Sequence, residues 1–265
     1  MMKDLFHAKV IENKHLIGDL YDLYIHCPEE ANRARTGQFV SLFTGSPSMV
    51  LPRPLSLCDI DKEAGILRIV YRAGGDGTRQ ISQFKAGETI NGIGPVGNSF
   101  RVVPNVKKFA IVGGGIGTPP LLELSKKIRA EVPDAEIYVY LGFRGKDQVI
   151  LEEDYKKHTD KVIVTTDDGS YGHHGNIISA MPTEEGFFDA LYSCGPTIML
   201  KFVSKYAEEK QIPNSFVSLE EHMACSIGAC LACVTKVKAN NEQGWDYQRV
   251  CCTGPVFKSK EVIFG

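Results

Sequence analysis

Short alternating or apolar stretches dominate the first hundred residues of the chain. Four of them are separated by Gly, Pro and Asp turns, and they read DLYDLYIHC, GQFVSLF, GILRIVYR and ETINGIG. Stretches of this length and spacing predict the strands of an antiparallel barrel or sandwich. No long helical period occurs in this part, although ISQF could form a single turn.

The pattern changes near residue 107. The short apolar strand KKFAIV is followed by GGGIGTPP and then by LLELSKKIRAEV, in which Leu121, Leu124 and Ile128 have the spacing of one helix face. Pro119 and Pro120 are tolerated in a first helical turn, where no intrahelical N–H partner is lost. With the following strand EIYVYLGF, this segment predicts one βαβ unit.

The alternation of strand and helix continues to about residue 218. The predicted elements are a helix LEEDYKKH, a strand KVIVTT, a helix from Asn176, a strand FFDALYSC, a helix IMLKFVSKYAEEK and a last strand SFVSLE. Such repeated alternation predicts a parallel, doubly wound sheet. The chain therefore divides into a β domain at 1–101, an α/β domain at 102–215 and a cysteine-rich module at 216–265.

Composition narrows the class of protein. Of 265 residues 43% are hydrophobic and 23% charged, with a formal net charge of −2, which is typical of a globular protein and gives no reason to expect a nucleic-acid partner. No apolar run approaches a membrane span, and the first residues do not resemble a signal peptide. We therefore expect a cytoplasmic protein, in which eight cysteines are not a disulfide framework.

Five of these cysteines lie in the last 41 residues. Cys225, Cys230 and Cys233 have the spacing C-x4-C-x2-C, which together with a distal cysteine is that of plant-type 2Fe–2S ferredoxins. Structural zinc more often uses two C-x2-C pairs, so the spacing favours the cluster over zinc. The fourth ligand is Cys251 or Cys252. If RVCC is extended, the two side chains point to opposite faces, so only one of them should reach the cluster.

Two glycine-containing loops follow predicted strands of the α/β domain. The first, GGGIG, contains Gly113, Gly114, Gly115 and Gly117, and such a loop lets a backbone approach a pyrophosphate at a helix N-terminus. It departs from G-x-G-x-x-G at Thr118, and a tight strand–helix turn is the alternative interpretation. The second contains Cys194, Gly195 and Pro196 at a strand end. There Cys194 could touch a nicotinamide ring, or it could be a buried small residue.

Two segments of the β domain suit phosphate. Arg53 and Ser56 of RPLS offer a guanidinium fork and a hydroxyl, and the loop in VYRAGGDGT (70–78) offers backbone amides. Each segment alone is also compatible with an ordinary strand and turn.

Taken in order, these motifs resemble one known family. RPLS, GDGT, GPVGNSF, VGGGIGTPPLLEL, YSCGP and EEHMACSIGACLACV…RVCCTGPVF are similar to the electron-transfer subunits of type B dihydroorotate dehydrogenase, in the ferredoxin–NADP reductase superfamily. The resemblance implies an FAD-binding β-barrel, an NAD-binding α/β domain and a 2Fe–2S domain. It places FAD on Arg53, Pro54, Leu55, Ser56, Val70, Tyr71, Arg72, Gly77 and Thr78. It places the cluster on Cys225, Cys230, Cys233 and Cys251, because the family motif reads R-V-C-x-x-G-P-V-F.

The function that the resemblance implies is an electron relay. NADH exchanges a hydride with FAD, the cluster passes single electrons, and FMN in a separate catalytic subunit interconverts dihydroorotate and orotate in pyrimidine biosynthesis. Two copies of each subunit form a heterotetramer in that family. The nearest alternatives are electron-transfer subunits of ferredoxin:NADP oxidoreductase, sulfide dehydrogenase or hydrogenase complexes. A zinc-stabilised nucleotide-binding module is a more distant one.

Several polar residues are assigned no catalytic role by this interpretation. Glu220, Glu221 and His222 are interpreted as a solvated or interface segment ahead of the cysteines. The preference for NAD or NADP stays open, because EIYVYLGF ends in Arg144 with no acidic residue placed to bind a ribose 2′-hydroxyl.

Overall fold

The computed structural model describes residues 5–265, so residues 1–4, at the start of the expected first domain, lie outside it. The first part of the chain forms one antiparallel sheet of seven strands, in the order β4-β3-β7-β1-β2-β6-β5. Its strands are β1 Leu5–Ile17, β2 Leu20–His26, β3 Phe39–Leu42, β4 Arg53–Ser56, β5 Asp59–Asp61, β6 Ile66–Arg72 and β7 Thr89–Val96. Alternation along β1 buries Phe6, Ala8 and Val10, which confirms the predicted strand pattern.

Two short helices accompany this sheet. The sequence analysis missed α1 Pro28–Arg33, a helix of six residues that begins with a proline in its first turn. The turn expected at ISQF is the end of α2 Asp76–Ile81, which begins five residues earlier.

The second sheet is the expected doubly wound one. It has the strand order β11-β10-β9-β8-β12-β13-β16, and all neighbours pair in parallel except β13 and β16. Its strands are β8 Lys108–Gly114, β9 Glu136–Phe143, β10 Lys161–Thr166, β11 His173–His174, β12 Ala190–Cys194, β13 Asn214–Ser218 and β16 Val256–Lys258. Its helices are α3 Leu122–Glu131, α4 Glu152–Lys156 and α5 Thr197–Glu209. The helix expected from Asn176 is only a 3-10 turn, Ile177–Ala180.

The cysteine-rich end of the chain is built on a hairpin and joined to the second sheet. Strands β14 Val234–Lys238 and β15 Trp245–Arg249 pair antiparallel, which confirms the expected return of the WDYQR segment. The chain then continues into β16, whose Phe257 pairs with Val217 of β13. The module is therefore continuous with the α/β sheet through main-chain hydrogen bonds.

The two large sheets share apolar and polar contacts. Val70 and Phe100 lie in the same buried cluster as Phe109 and Ile111 of β8. Arg68 of β6 contacts Asp22 of β2 and also reaches Asp154 of α4.

A second polar group joins β5 to α3. Lys126 contacts both Asp59 and Glu123, and the Glu123 carboxylate accepts a hydrogen bond from the backbone N–H of Ile60. Within residues 5–265 no helix is long and apolar enough to cross a membrane.

Candidate functional site

A cleft of about 720 Å³ opens at the carboxyl ends of the parallel strands. Strands β8 and β12 are neighbours, but the chain continues from β8 to β9 on one side and from β12 to β13 on the other. Ligands of open α/β sheets bind at such a switch point. Among the predicted residues, Gly114, Gly115, Gly117, Gly195 and Pro196 line the cleft.

Close packing of the two loops explains the glycines. A Cβ on Gly117 would lie 2.5 Å from both Cα and N of Gly195, so no side chain fits there without displacing backbone. A Cβ on Gly113 would lie 3.1 Å from Cα of Thr118, the residue that stands in the place of a third glycine. The loops therefore present bare backbone to the cleft, as an approaching pyrophosphate requires.

Cys194 ends β12 behind this surface. Its side chain is only 1% exposed and is absent from the cleft lining, which Gly195 and Pro196 form instead. Burial raises the pKa of the Cys194 thiol well above its usual value, which keeps it neutral. Contact between this thiol and a nicotinamide ring therefore stays a prediction.

The cleft also contains Arg144, which was considered above for the NAD or NADP preference, and Asp167, which was not predicted. Arg144 and Asp167 follow the ends of β9 and β10, so their position could have been predicted from the parallel sheet alone. Asp167 is an acidic group of the cleft that follows β10, whereas the strand EIYVYLGF is followed by Arg144, as predicted. Glu220 also lines the cleft and is exposed.

The predicted flavin residues lie at the open ends of the first sheet. Strand β4 pairs only with β3 within the described sheet, while β5 pairs with β6 only as far as Arg68. Residues 69–72 of β6 therefore lie beside β4 with no strand between them. Such a gap leaves backbone donors and acceptors that a bound ligand could satisfy.

The side chains around this gap differ in their exposure and in the groups that they could present to a ligand. A Cβ on Gly77 would overlap the Arg53 guanidinium, so the RPLS strand and the GDGT turn are in direct contact. Arg72 also lines the cleft at the carboxyl ends of the parallel strands. Val70 and Tyr71 are 3% and 1% exposed, so they can contribute only backbone groups to a ligand.

The remaining predicted flavin residues lie in the same region. Pro54, Leu55 and Ser56 are half-buried along β4. The Thr78 hydroxyl accepts a hydrogen bond from Gly75 N–H at 3.2 Å, which fixes the turn.

The cysteines of the C-terminal module come together in two pairs. The sulfurs of Cys225 and Cys230 are 3.2 Å apart. Cys251 lies in hydrogen-bonding contact with Cys233, because Val250 N–H donates to the Cys233 carbonyl at 2.8 Å at the base of the hairpin. No three of the His, Cys, Asp and Glu side chains within residues 5–265 form a group that could hold one metal ion. Two pairs of thiols match a 2Fe–2S cluster, in which each iron takes two protein ligands.

Backbone amides of the loop point at these sulfurs. Cys230 N–H donates to the Cys225 sulfur at 3.3 Å, and the N–H groups of Ile227 and Ala229 also lower the pKa of Cys225, as Gly228 N–H does for Cys251. Although burial raises the pKa of Cys225, these donors lower it to about 7, which favours the thiolate that iron binds. The donor set and its surroundings therefore fit the cluster.

The two adjacent cysteines have different surroundings. Cys251 is 2% exposed, and burial with its contact to Cys233 raises the pKa of its thiol to about 12, so the case for it as a ligand rests on its position beside Cys233 and not on its pKa. Cys252 is exposed, and its sulfur lies near Gly228 of the same loop but has no contact with Cys233 like that of Cys251. This difference favours Cys251 as the fourth ligand.

Comparisons with known proteins agree with this geometry. The model of the iron–sulfur cluster binding domain of dihydroorotate dehydrogenase B matches residues 220–263. The electron transfer subunit of dihydroorotate dehydrogenase B (NAD(+)) from Streptococcus mutans is 43% identical over 86% of this chain and 87% of its own length. The chain belongs to this family. The Clostridium perfringens subunit of the same name is 36% identical over the whole of both chains.

Solved structures extend the likeness to the fold. A structure described as an NADH-dependent reduced ferredoxin-NADP oxidoreductase has a TM-score of 0.85 and 32% identity, covering 97% of this chain and 90% of that one. A ferredoxin NADP+ reductase from Neisseria gonorrhoeae, with bound FAD and NADP, has a TM-score of 0.67 over 81% of this chain and 98% of its own. Its 17% identity supports the fold alone.

Proposed function

We propose that this chain is the electron-transfer subunit of an NAD-linked dihydroorotate dehydrogenase, relaying electrons between NAD and a catalytic subunit through FAD and a 2Fe–2S cluster. The observation that carries the proposal is the pairing of Cys225 with Cys230 and of Cys233 with Cys251. Membership of the family supports the choice of substrate and pathway, pyrimidine biosynthesis.

Each group has residues that fit it. Arg53–Ser56, Val70–Arg72, Gly77 and Thr78 would hold FAD along the gap between β4 and β6. The four paired cysteines would hold the cluster, and the glycine loops at 113–117 and 195–196 would hold NAD. When bound, FAD exchanges a hydride with NAD and single electrons with the cluster. The chain itself orients these groups and supplies the N–H donors that offset the negative charge on the cysteine sulfurs. Arg72, which lines the nucleotide cleft and belongs to the flavin strand, joins the two sites.

The catalytic chemistry on dihydroorotate belongs to a partner subunit in this proposal. The partner would carry FMN and assemble with this chain two to two. Two exposed apolar side chains of the cysteine loop, Ile227 at 44% and Leu231 at 73%, suit such a contact beside the cluster. All eight cysteines are free thiols, which suits a reducing cytoplasm.

A related function has its own support. The likeness to the NADH-dependent reduced ferredoxin-NADP oxidoreductase covers nearly the whole chain at 32% identity. In that case the electron partner would be another protein while the relay within this chain stays the same.

The first test is cofactor analysis of the chain purified without oxygen. We expect one FAD, two irons and two sulfides per chain. Cys251→Ser should lose most of the iron and the visible cluster spectrum, whereas Cys252→Ser, the matched control, should keep both. Zinc without flavin would refute the relay. Iron retained in Cys251→Ser but lost in Cys252→Ser would reverse the ligand assignment.

The second test concerns the partner. Mixing the chain with an FMN-containing dihydroorotate dehydrogenase subunit should give NAD reduction that depends on dihydroorotate. A flavin- and cluster-containing chain that gives no such reduction, but that reduces ferredoxin with NADH, would favour the related function.

A further inference from the structure

A buried hydrogen bond joins the cysteine loop to the first sheet. The hydroxyl of Ser41 in β3 donates to the hydroxyl of Ser226 at 2.8 Å, across 185 positions of sequence. The two residues are 0% and 1% exposed. A buried hydroxyl without a partner is costly, so each serine depends on the other.

The backbone at Ser226 has a conformation that side chains rarely adopt. Ser226 has φ of +59°, a left-handed conformation in which glycine is favoured and most side chains are strained. A serine kept in this conformation, with its hydroxyl fully buried in a hydrogen bond, points to a role for the hydroxyl itself.

The positions of the two serines indicate what the hydroxyl of Ser226 does. Ser226 immediately follows Cys225 and precedes the amides at 227–230 that point at the sulfurs. Ser41 pairs with Pro54 across β3 and β4, the strand that carries RPLS. The bond therefore connects the proposed cluster loop to the proposed flavin strand through one strand pair.

Another contact holds the distal arm of the module. The Asn98 amide donates to the carbonyls of Thr253 and Val256 at 2.8 and 2.7 Å, and its oxygen accepts from Val256 N–H at 2.9 Å. The ligand loop at 225–230 is held to the hairpin by Arg249, which donates to the Gly228 carbonyl, and to the first sheet by the Ser41–Ser226 bond. The Ser41–Ser226 bond fixes the loop where it meets the first sheet.

We infer that Ser41 and Ser226 are positioning residues that hold the cluster loop in register with the flavin strand, and so set the rate of electron transfer between FAD and the cluster. The inference rests on the proposed function. The transfer slows steeply as the separation of donor and acceptor grows, so a small displacement of the loop affects this step. Hydride exchange between NAD and FAD does not involve the loop.

The test uses Ser41→Ala, Ser226→Ala and the double variant in the flavin- and cluster-containing chain. Rapid mixing with NADH should show flavin reduction at the wild-type rate and cluster reduction slowed several-fold in each single variant. The double variant should be no slower than the slower single variant, because both changes remove the same bond. Ser125→Ala, which removes another fully buried hydroxyl in α3, should leave both rates unchanged.

Two further measurements separate positioning from general damage. In the chain stripped of flavin and cluster, hydrogen exchange of the amides at 227–230 should be about fivefold faster in either single variant, as expected for the loss of one buried hydrogen bond. Ser226→Gly relieves the backbone strain but removes the hydroxyl, so it should behave as Ser226→Ala does.

Two outcomes would overturn the inference: unchanged cluster reduction and loop exchange in Ser41→Ala, or wild-type behaviour in Ser226→Gly. Absence of flavin and cluster from the wild-type chain would instead refute the proposed function, while the exchange experiment would still report on the bond.

Discussion

Replacing Arg68 with methionine should be among the most damaging single changes to the stability of this chain. Arg68 donates to both carboxylate oxygens of Asp22, with Nε–Oδ1 at 3.0 Å and Nη2–Oδ2 at 2.9 Å, and Nη1 reaches Asp154 Oδ2 at 3.0 Å. The side chains of Arg68 and Asp22 are 13% and 1% exposed. Arg68→Met would therefore leave a buried carboxylate uncompensated, at a cost of about 3–5 kcal/mol in the free energy of unfolding.

Urea denaturation followed by circular dichroism would measure this loss. The matched control is Arg79→Met, which breaks an arginine–aspartate pair whose side chains are 57% and 77% exposed and should cost less than about 1 kcal/mol. Adding Asp22→Asn to Arg68→Met should recover a large part of the loss, because it removes the stranded charge. If Arg68→Met were no more destabilising than Arg79→Met, or if Asp22→Asn worsened it, the argument from an uncompensated charge would be wrong.

Three further substitutions test the polar contact between β5 and α3 and the cleft at the strand ends. Burial raises the pKa of Glu123 to about 7 from 4.5, so its contribution to stability is full below pH 4.5 and is lost as pH rises through 7. Glu123→Gln should therefore reduce the fall in Tm between pH 5.5 and pH 8, and an unchanged fall would contradict this. Gly117→Ala should raise the KM for NADH, because its Cβ would meet Gly195 backbone at 2.5 Å, whereas Gly75→Ala, with nothing within 4 Å, should not. Asp167→Asn should improve the use of NADPH relative to NADH about tenfold by removing a charge that repels a 2′-phosphate, and an unchanged ratio of kcat/KM values would refute that role.

The sequence predicts the regular parts of this fold because the periodicity of each strand and helix is local. Strand β1 alternates buried and exposed side chains, and α3 buries Leu124 and Ile128 at the expected spacing. The helix expected from Asn176 fails because the Asn176 side chain caps only the short turn at 177–180. The helix α1 was missed because six residues hold too little periodic pattern to detect.

The site residues also divide into those that can be predicted from local sequence and those that cannot. The cysteine spacing and the glycine loops are contiguous, so their chemistry can be predicted from residue type and separation. Asp167 was not singled out, although the predicted parallel sheet would have placed it at this edge. Ser41 and Ser226 could not be predicted, because their contact spans 185 positions. Contacts of that kind follow from the packing of sheets and leave no local pattern.

The choice between Cys251 and Cys252 as the proposed fourth ligand depends on strand topology and not on the local sequence. Cys251 and Cys252 lie in a turn after β15, in which Cys252 N–H donates to the Arg249 carbonyl at 3.3 Å, so the extended segment considered in the sequence analysis does not form and alternation does not separate the two side chains. In the proposed site the hairpin favours Cys251, because pairing of Val234 with Arg249 brings Val250 N–H to the Cys233 carbonyl, and Cys251 contacts Cys233. The β14–β15 pairing, which ends at Arg249, therefore favours Cys251 over Cys252 as the partner of Cys233 in the proposed ligand set.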